Sequence, residues 1–140
     1  MVKKSFFLVS IVLFFVITSC GSSKSHVSSG KSGDQLIGVW QISFPALGGA
    51  GAQEKMKIFT KTRFIWYHTV NGDIVMSHGG TYSFDGETLT EHIKFGSPNE
   101  RIAFGRKFIT KIRFEGNMMY TTGGWENDSR VLSEIWERVE

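Results

Sequence analysis

Cysteine is almost missing: Cys20 is the only one in 140 residues, so no intramolecular disulfide can form. Metal-ligating residues are not grouped either. His26, His68, His78 and His92 are dispersed along the chain, whereas metal sites need clustered His, Cys or carboxylate ligands. No metal or other cofactor is therefore expected. There is no nucleophile elbow, and the glycines between Gly48 and Gly51 are followed by neither a lysine nor a helix, so no phosphate cradle forms there. Glu91 with His78 is the one pair suited to acid–base work, too thin a signal to predict an enzyme. No stretch keeps a helical period, and no repeat exceeds a single hairpin.

Charge of one sign is lacking too. The chain carries 16 Lys and Arg against 13 Asp and Glu, formally +3. Without Lys3 and Lys4, which belong to a leader, the balance is about +1, and nothing calls for a nucleic-acid partner.

Long apolar runs are confined to one place, Phe6 to Ile17, preceded by Lys3 and Lys4. Twelve residues are too few for a permanent membrane span and fit a secretory signal. The run Ile17-Thr18-Ser19-Cys20-Gly21 resembles the bacterial lipobox. The resemblance implies diacylglyceryl transfer to the Cys20 sulfur, cleavage before Cys20 and acylation of the new amino terminus. Residues 1–19 are thus expected to be a lipoprotein signal peptide and Cys20 the lipidation site. Lipid chains contribute about 0.8 kcal/mol per buried CH₂ and anchor stably in pairs.

Residues 20–35 hold one aliphatic side chain, Val27, among Ser, Gly and Lys. They cannot bury enough surface to fold and read as a flexible tether with a mean reach of roughly 20 Å. His26 falls here, as a solvated linker residue. No acidic cluster follows Cys20. In some bacteria such a cluster directs lipoproteins to the cell surface, so the expected place is the cell envelope, on the outer membrane facing the periplasm.

Residues 36–140 suffice for one modest core. Asn71-Gly72, Asp85-Gly86 and Glu115-Gly116-Asn117 supply the positive φ angles of tight hairpins between runs of β-branched and aromatic residues. Eight strands follow: Leu36 to Phe44, Glu54 to Thr60, Arg63 to Val70, Ile74 to Phe84, Glu87 to Phe95, Phe104 to Phe114, Met118 to Thr122 and Val131 to Val139. The expected fold is all-β, an eight-stranded up-and-down antiparallel barrel. A barrel of that size is just filled by side chains or holds one small ligand. Gly79-Gly80 inside a strand predicts a bend or bulge.

If Asp85-Gly86 is a two-residue turn, Tyr82 opposes Leu89, Gly80 opposes Glu91 and His78 opposes Ile93. Ile74, Met76, His78, Gly80 and Tyr82, with Leu89, Glu91, Ile93 and Phe95, then form the inner face. For Arg63 to Val70 two readings stand. A two-residue Asn71-Gly72 turn sends Ile65 and Tyr67 inward; a glycine bulge, favoured because it buries larger rings, sends Phe64, Trp66 and His68 inward. In the sixth strand Phe104, Arg106, Phe108, Thr110, Ile112 and Phe114 would face in.

Glu91 and Arg106 then lie on apolar faces, where an unpaired charge costs several kcal/mol. Either they pair internally, with Tyr82 or His78 completing the contact, or the space at Gly80 opens a pocket. Glu91, His78, Tyr82 and Arg106 would supply its polar contacts, with Trp66 on its wall. Trp136 is open between barrel closure and pocket wall.

Gly38-Val39-Trp40 resembles the opening of the calycin superfamily, the lipocalins and fatty-acid-binding proteins. The resemblance implies a Trp40 indole that plugs one barrel end under a late basic residue, here Arg138. The connection from Pro45 to Ala52 is too short for the two lid helices of a fatty-acid-binding protein. Residues 36–140 as a whole look like small lipocalin-like bacterial lipoproteins classed as a domain of unknown function, through Phe64-x-Trp66, Gly79-Gly80-Thr81-Tyr82, Thr90-Glu91 and Trp136-Glu137-Arg138. The expected function is a lipid-anchored, non-enzymatic barrel that binds a small apolar or amphipathic molecule in its interior, with the Pro45 to Ala52 connection near the mouth. The alternative is an envelope interaction module with a solid core and a protein or glycan partner. Nothing in the sequence sets an oligomeric state.

Overall fold

The computed structural model describes residues 33–44 and 53–140. The expected signal peptide, Cys20, most of the expected tether and the 45–52 connection lie outside the described residues.

Eight antiparallel strands, paired in sequence order, form a closed barrel. They are β1 (Gly38–Phe44), β2 (Gln53–Phe59), β3 (Arg63–Val70), β4 (Asp73–Phe84), β5 (Thr88–Gly96), β6 (Lys107–Glu115), β7 (Met118–Trp125) and β8 (Leu132–Arg138). Closure is made by β1 against β8, with Trp40 opposite Arg138 and Ile42 opposite Trp136. Among the described residues no strand keeps an unpaired edge, the feature that makes open sheets prone to association.

Several boundaries differ from the sequence reading. Residues 33–36 form a turn before β1. The Pro98 region is a 3₁₀ helix, Pro98–Ala103, with Pro98 in its first turn where the missing N–H costs nothing. That helix delays β6 to Lys107, so Phe104 and Arg106 are not in a strand. Strand β7 runs on to Trp125, past the expected Thr122.

Two bulges set which side chains face in. At the β3–β4 hairpin Val70 opposes Asp73, so Asn71-Gly72 is a two-residue turn. Both residues have positive φ, 53° and 86°, as a type I′ turn requires. One residue further in, Thr69 opposes Ile74 but His68 opposes Met76, so Val75 is extra. This bulge restores the parity that puts Phe64, Trp66 and His68 on the His78 and Gly80 face. The larger rings do point inward, through a bulge inside β4 and not at the turn.

Between β4 and β5 the register is two residues from the expected one. Phe84 opposes Leu89, Tyr82 opposes Glu91 and Gly80 opposes Ile93. The Asp85 carboxylate accepts bonds from the backbone N–H of Glu87 and Thr88 at 2.9 and 2.7 Å. These contacts draw Glu87 and Thr88 into a longer loop. A shift of two leaves faces unchanged, so Leu89, Glu91 and Ile93 are buried as expected. The Gly79-Gly80 bulge also exists: Gly79 opposes Phe95 and Gly80 opposes Ile93, so Lys94 is extra. Beyond it the parity flips, and Phe95 turns outward against Gly79, 46% exposed. A Cβ on Gly80 would lie 1.9 Å from the His92 carbonyl oxygen, so only glycine lets β5 come this close. Gly80 thus leaves no space opposite Glu91.

The core joins Leu36, Trp40, Phe59, Phe64, Leu89, Ile93, Ala103, Ile112, Met119 and Trp136. Much of it lies toward the end where β1 begins and β8 stops, here called the sealed pole. There the Trp40 indole N–H donates to the Leu36 carbonyl at 2.9 Å, and the Arg138 guanidinium lies 4.3 Å from its ring centroid. Arg138 also donates to the carbonyls of Ile37 and Gln35. Gly38 permits this arrangement, because a Cβ there would lie 2.5 Å from the guanidinium.

Candidate functional site

The opposite pole is where β1, β3, β5 and β7 end and the 3₁₀ helix crosses. Toward it the inner faces bound a cavity of about 220 Å³. Its walls are Trp66 of β3, His78 of β4, Phe108 of β6 and Trp125 of β7, with Lys55 and Lys57 of β2, Glu91 of β5, Glu134 and Leu132 of β8, and Glu100 of the helix.

At its polar end Lys57 and Glu91 form a buried ion pair, 3.1 Å between Nζ and Oε2. Neither side chain is more than 5% exposed. The Lys57 ammonium also lies 5.7 Å from the Phe108 ring centroid and 5.2 Å from that of Trp136, within cation–π range. Glu91 Oε1 has no hydrogen-bond partner in the protein. Burial pushes the Glu91 carboxyl above the usual range, an effect that Lys57 opposes and Glu134 reinforces. Another buried oxygen without a protein partner, Thr110 Oγ1, lies on neighbouring β6.

His78 forms another wall. Its ring stacks on Trp66 with centroids 4.7 Å apart and planes 19° from parallel. Nδ1 lies 3.2 Å from Glu100 Oε2. Burial, with Lys57 nearby, lowers the His78 pKa to about 4, so at neutral pH the ring is uncharged and the contact is a hydrogen bond, not an ion pair. A nitrogen facing a carboxylate carries the ring proton, which makes Nε2 an acceptor. Burial likewise raises the Glu100 carboxyl. This bond, with Ser97 N–H donating to the Ser77 carbonyl at 2.8 Å, fastens the 3₁₀ helix to β4.

Of the residues expected in the site, Glu91, His78 and Trp66 meet at this cavity. Arg106 does not join them. It lies in the link between the 3₁₀ helix and β6, its guanidinium 4.8 Å from the Trp125 ring centroid, and Glu91 takes its cation from Lys57. Tyr82 is also elsewhere: its ring meets Phe59 edge-on and its hydroxyl donates to the Thr60 carbonyl at 2.6 Å, toward the sealed pole. Trp136 is fully buried in the core, its N–H donating to Glu134 Oε2 at 3.2 Å, and meets the site through Glu134 and Lys57 without lining it. Of the remaining inner-face expectations, Ile74 is 62% exposed at the open pole.

Sequence reasoning missed Lys57, and with it Lys55, Glu100, Trp125, Leu132 and Glu134 of the cavity wall. In Gln53–Phe59 the apolar alternation marks Met56 and Ile58 as inward, yet Lys57 and Phe59 are the buried pair. Phe59, whose parity matches Lys57, was the available signal. Among the described residues no group of three His, Cys, Asp or Glu is placed to hold a metal ion.

A family described as a domain of unknown function (DUF4488) matches residues 35–140, which includes every strand of the barrel. No curated protein matches the chain.

Proposed function

The chain belongs to the DUF4488 family, and from that premise, which assigns no activity, we propose that it is a lipid-anchored envelope protein whose lipocalin-like barrel binds one small amphipathic molecule at its open pole. The observation that carries this reading is the cavity of about 220 Å³ with a buried ion pair on its wall and one carboxylate oxygen unpartnered. Binding sites combine apolar and aromatic walls with a few converging polar groups, and Trp66, Phe108 and Trp125 with Lys57, Glu91 and His78 have that composition. The lipocalin comparison is supported by the eight-strand closure and by Arg138 lying over the Trp40 indole. The anchor is supported by the lipobox resemblance at Cys20, and the function proposed is binding, not catalysis.

Size restricts the ligand. A cavity of about 150 Å³ admits benzene, so one of about 220 Å³ has room for one or two rings. The test is to extract the full chain from membranes without denaturant and identify by mass spectrometry what leaves it on unfolding. A stoichiometric small molecule is the expected result; a bare protein that takes up no small amphiphile overturns the reading.

A second reading, an interaction module, is favoured by one observation. Phe44, Ile74, Ile102, Phe104, Val131 and Leu132, all 40% exposed or more, crowd the open pole. An apolar rim of this kind suits a protein or glycan partner. In that case crosslinking from Ile102 in intact cells captures one specific envelope component, and the cavity stays empty.

A further inference from the structure

The polar groups of the cavity differ in what they can still accept. Lys57 neutralises Glu91 through Oε2, yet Oε1, on a residue only 1% exposed, receives no donor from the protein. A buried acceptor without a donor forfeits its desolvation energy. His78, which lines the same cavity, has a second acceptor in Nε2. The remaining carboxylates are engaged, Glu134 by the Trp136 N–H and Glu100 by His78.

These contacts select among ligand charges. A carboxylate entering the cavity would meet Glu91, Glu100 and Glu134 against only Lys55 and Lys57, and Lys57 is already paired. A cation reaching Oε1 would lie beside the Lys57 ammonium, which is bound to the same carboxylate, and like charges in a desolvated site repel strongly. A neutral donor meets neither penalty. The walls add a shape requirement, since the rings of Trp66, Phe108 and Trp125 line the cavity and a flat ring, His78, is already stacked on Trp66.

We propose that the ligand is an uncharged, flat molecule of one or two rings whose N–H donates a hydrogen bond to Glu91 Oε1. This rests on the cavity reading above and narrows it to a ligand class. A site built around an acceptor rejects an isosteric analogue that lacks the donor far more strongly than a site that reads shape alone.

The probes are indole, benzothiophene (the same outline with sulfur in place of N–H) and benzoate, titrated calorimetrically into the full chain held in amphipol. Indole is expected to bind about tenfold or more tighter than benzothiophene, and benzoate weaker than both. In the K57M/E91L double variant, which removes charge and acceptor together, the preference for indole should vanish while unfolding stays cooperative. Equal binding of indole and benzothiophene, tighter binding of benzoate, or an indole preference that survives the double variant overturns the ligand class and leaves the cavity reading standing. If no probe binds and nothing co-purifies, the cavity reading falls and the ligand class falls with it.

Discussion

Lys57 Nζ lies 3.1 Å from one oxygen of Glu91, and the other oxygen of that carboxylate has no protein partner. A pair of this kind is sensitive to removal of one member and tolerant of removal of both. Lys57→Met should destabilise the barrel by about 3–5 kcal/mol, because it strands a buried carboxyl, whereas K57M/E91L should lie within about 1–2 kcal/mol of the parent. Urea denaturation of the two variants measures the difference. Equal losses would show that the two groups are not coupled.

His78 sets an acid limb on stability. Its folded pKa, about 4, lies below the ordinary 6.5, so the unfolded chain binds the proton more tightly. The stabilisation is fully present above pH 6.5 and is lost as the pH falls toward 4, about 3 kcal/mol in all. Glu91 and Glu100, both raised, act in the opposite sense, with stability falling as pH rises through their range. Comparison with His78→Phe largely removes the Glu91 contribution, and His78→Gln, which can keep a donor to Glu100, controls for the loss of that bond. The stability of the parent relative to either variant should decline between pH 7 and pH 4, and a flat difference would show that His78 titrates normally.

Gly80→Ala should cost more than about 2 kcal/mol. The added methyl would lie 1.9 Å from the His92 carbonyl oxygen, and the β4–β5 bulge would have to open. Hydrogen exchange of the Tyr82 and Glu91 amides reads the damage locally. Protection equal to that of the parent would mean the strands are less tightly apposed than 1.9 Å implies.

Arg138→Ala removes donors from the carbonyls of Ile37 and Gln35 and uncovers the Trp40 ring. A loss of about 2–3 kcal/mol is expected, with greater access of acrylamide to the indole. Arg138→Lys should recover only part of it, since an ammonium cannot reach both carbonyls while lying flat on the ring.

Cys20→Ser tests the anchor. The variant should pass to the soluble fraction or accumulate uncleaved. Unchanged partition into detergent would place the attachment elsewhere.

The strand count, the up-and-down order and the hairpin glycines were legible because turn chemistry is local. Asn71 and Gly72 marked a hairpin by their own φ preferences, although the favoured glycine bulge at that turn gave way to a two-residue turn. Register was less legible, since the carboxylate of Asp85 lengthens its loop through bonds to Glu87 and Thr88. The buried faces of β5 survived that error because the shift was even. The Val75 bulge is a single-residue event without a distinctive sequence; the Lys94 bulge was marked by Gly79-Gly80, but its reversal of Phe95 was not. Lys57 was hidden by the more apolar Met56 and Ile58 beside it. Arg106 was misplaced because β6 begins only at Lys107, and residues 104–106, counted into a strand, form the link that follows the 3₁₀ helix. Sequence patterns thus place side chains on faces; which charge meets which depends on register summed around the barrel.

Both described ends of the chain come together away from the mouth: the Val39 N–H donates to the Glu140 carbonyl at 2.9 Å, beside Trp40 and Arg138. A tag or surface fixed upstream of Leu36 or joined after Glu140 therefore grips the barrel by its base. The rim carrying Ile102 and Leu132 lies at the other end of the barrel from that grip, like the lip of a cup held by its foot.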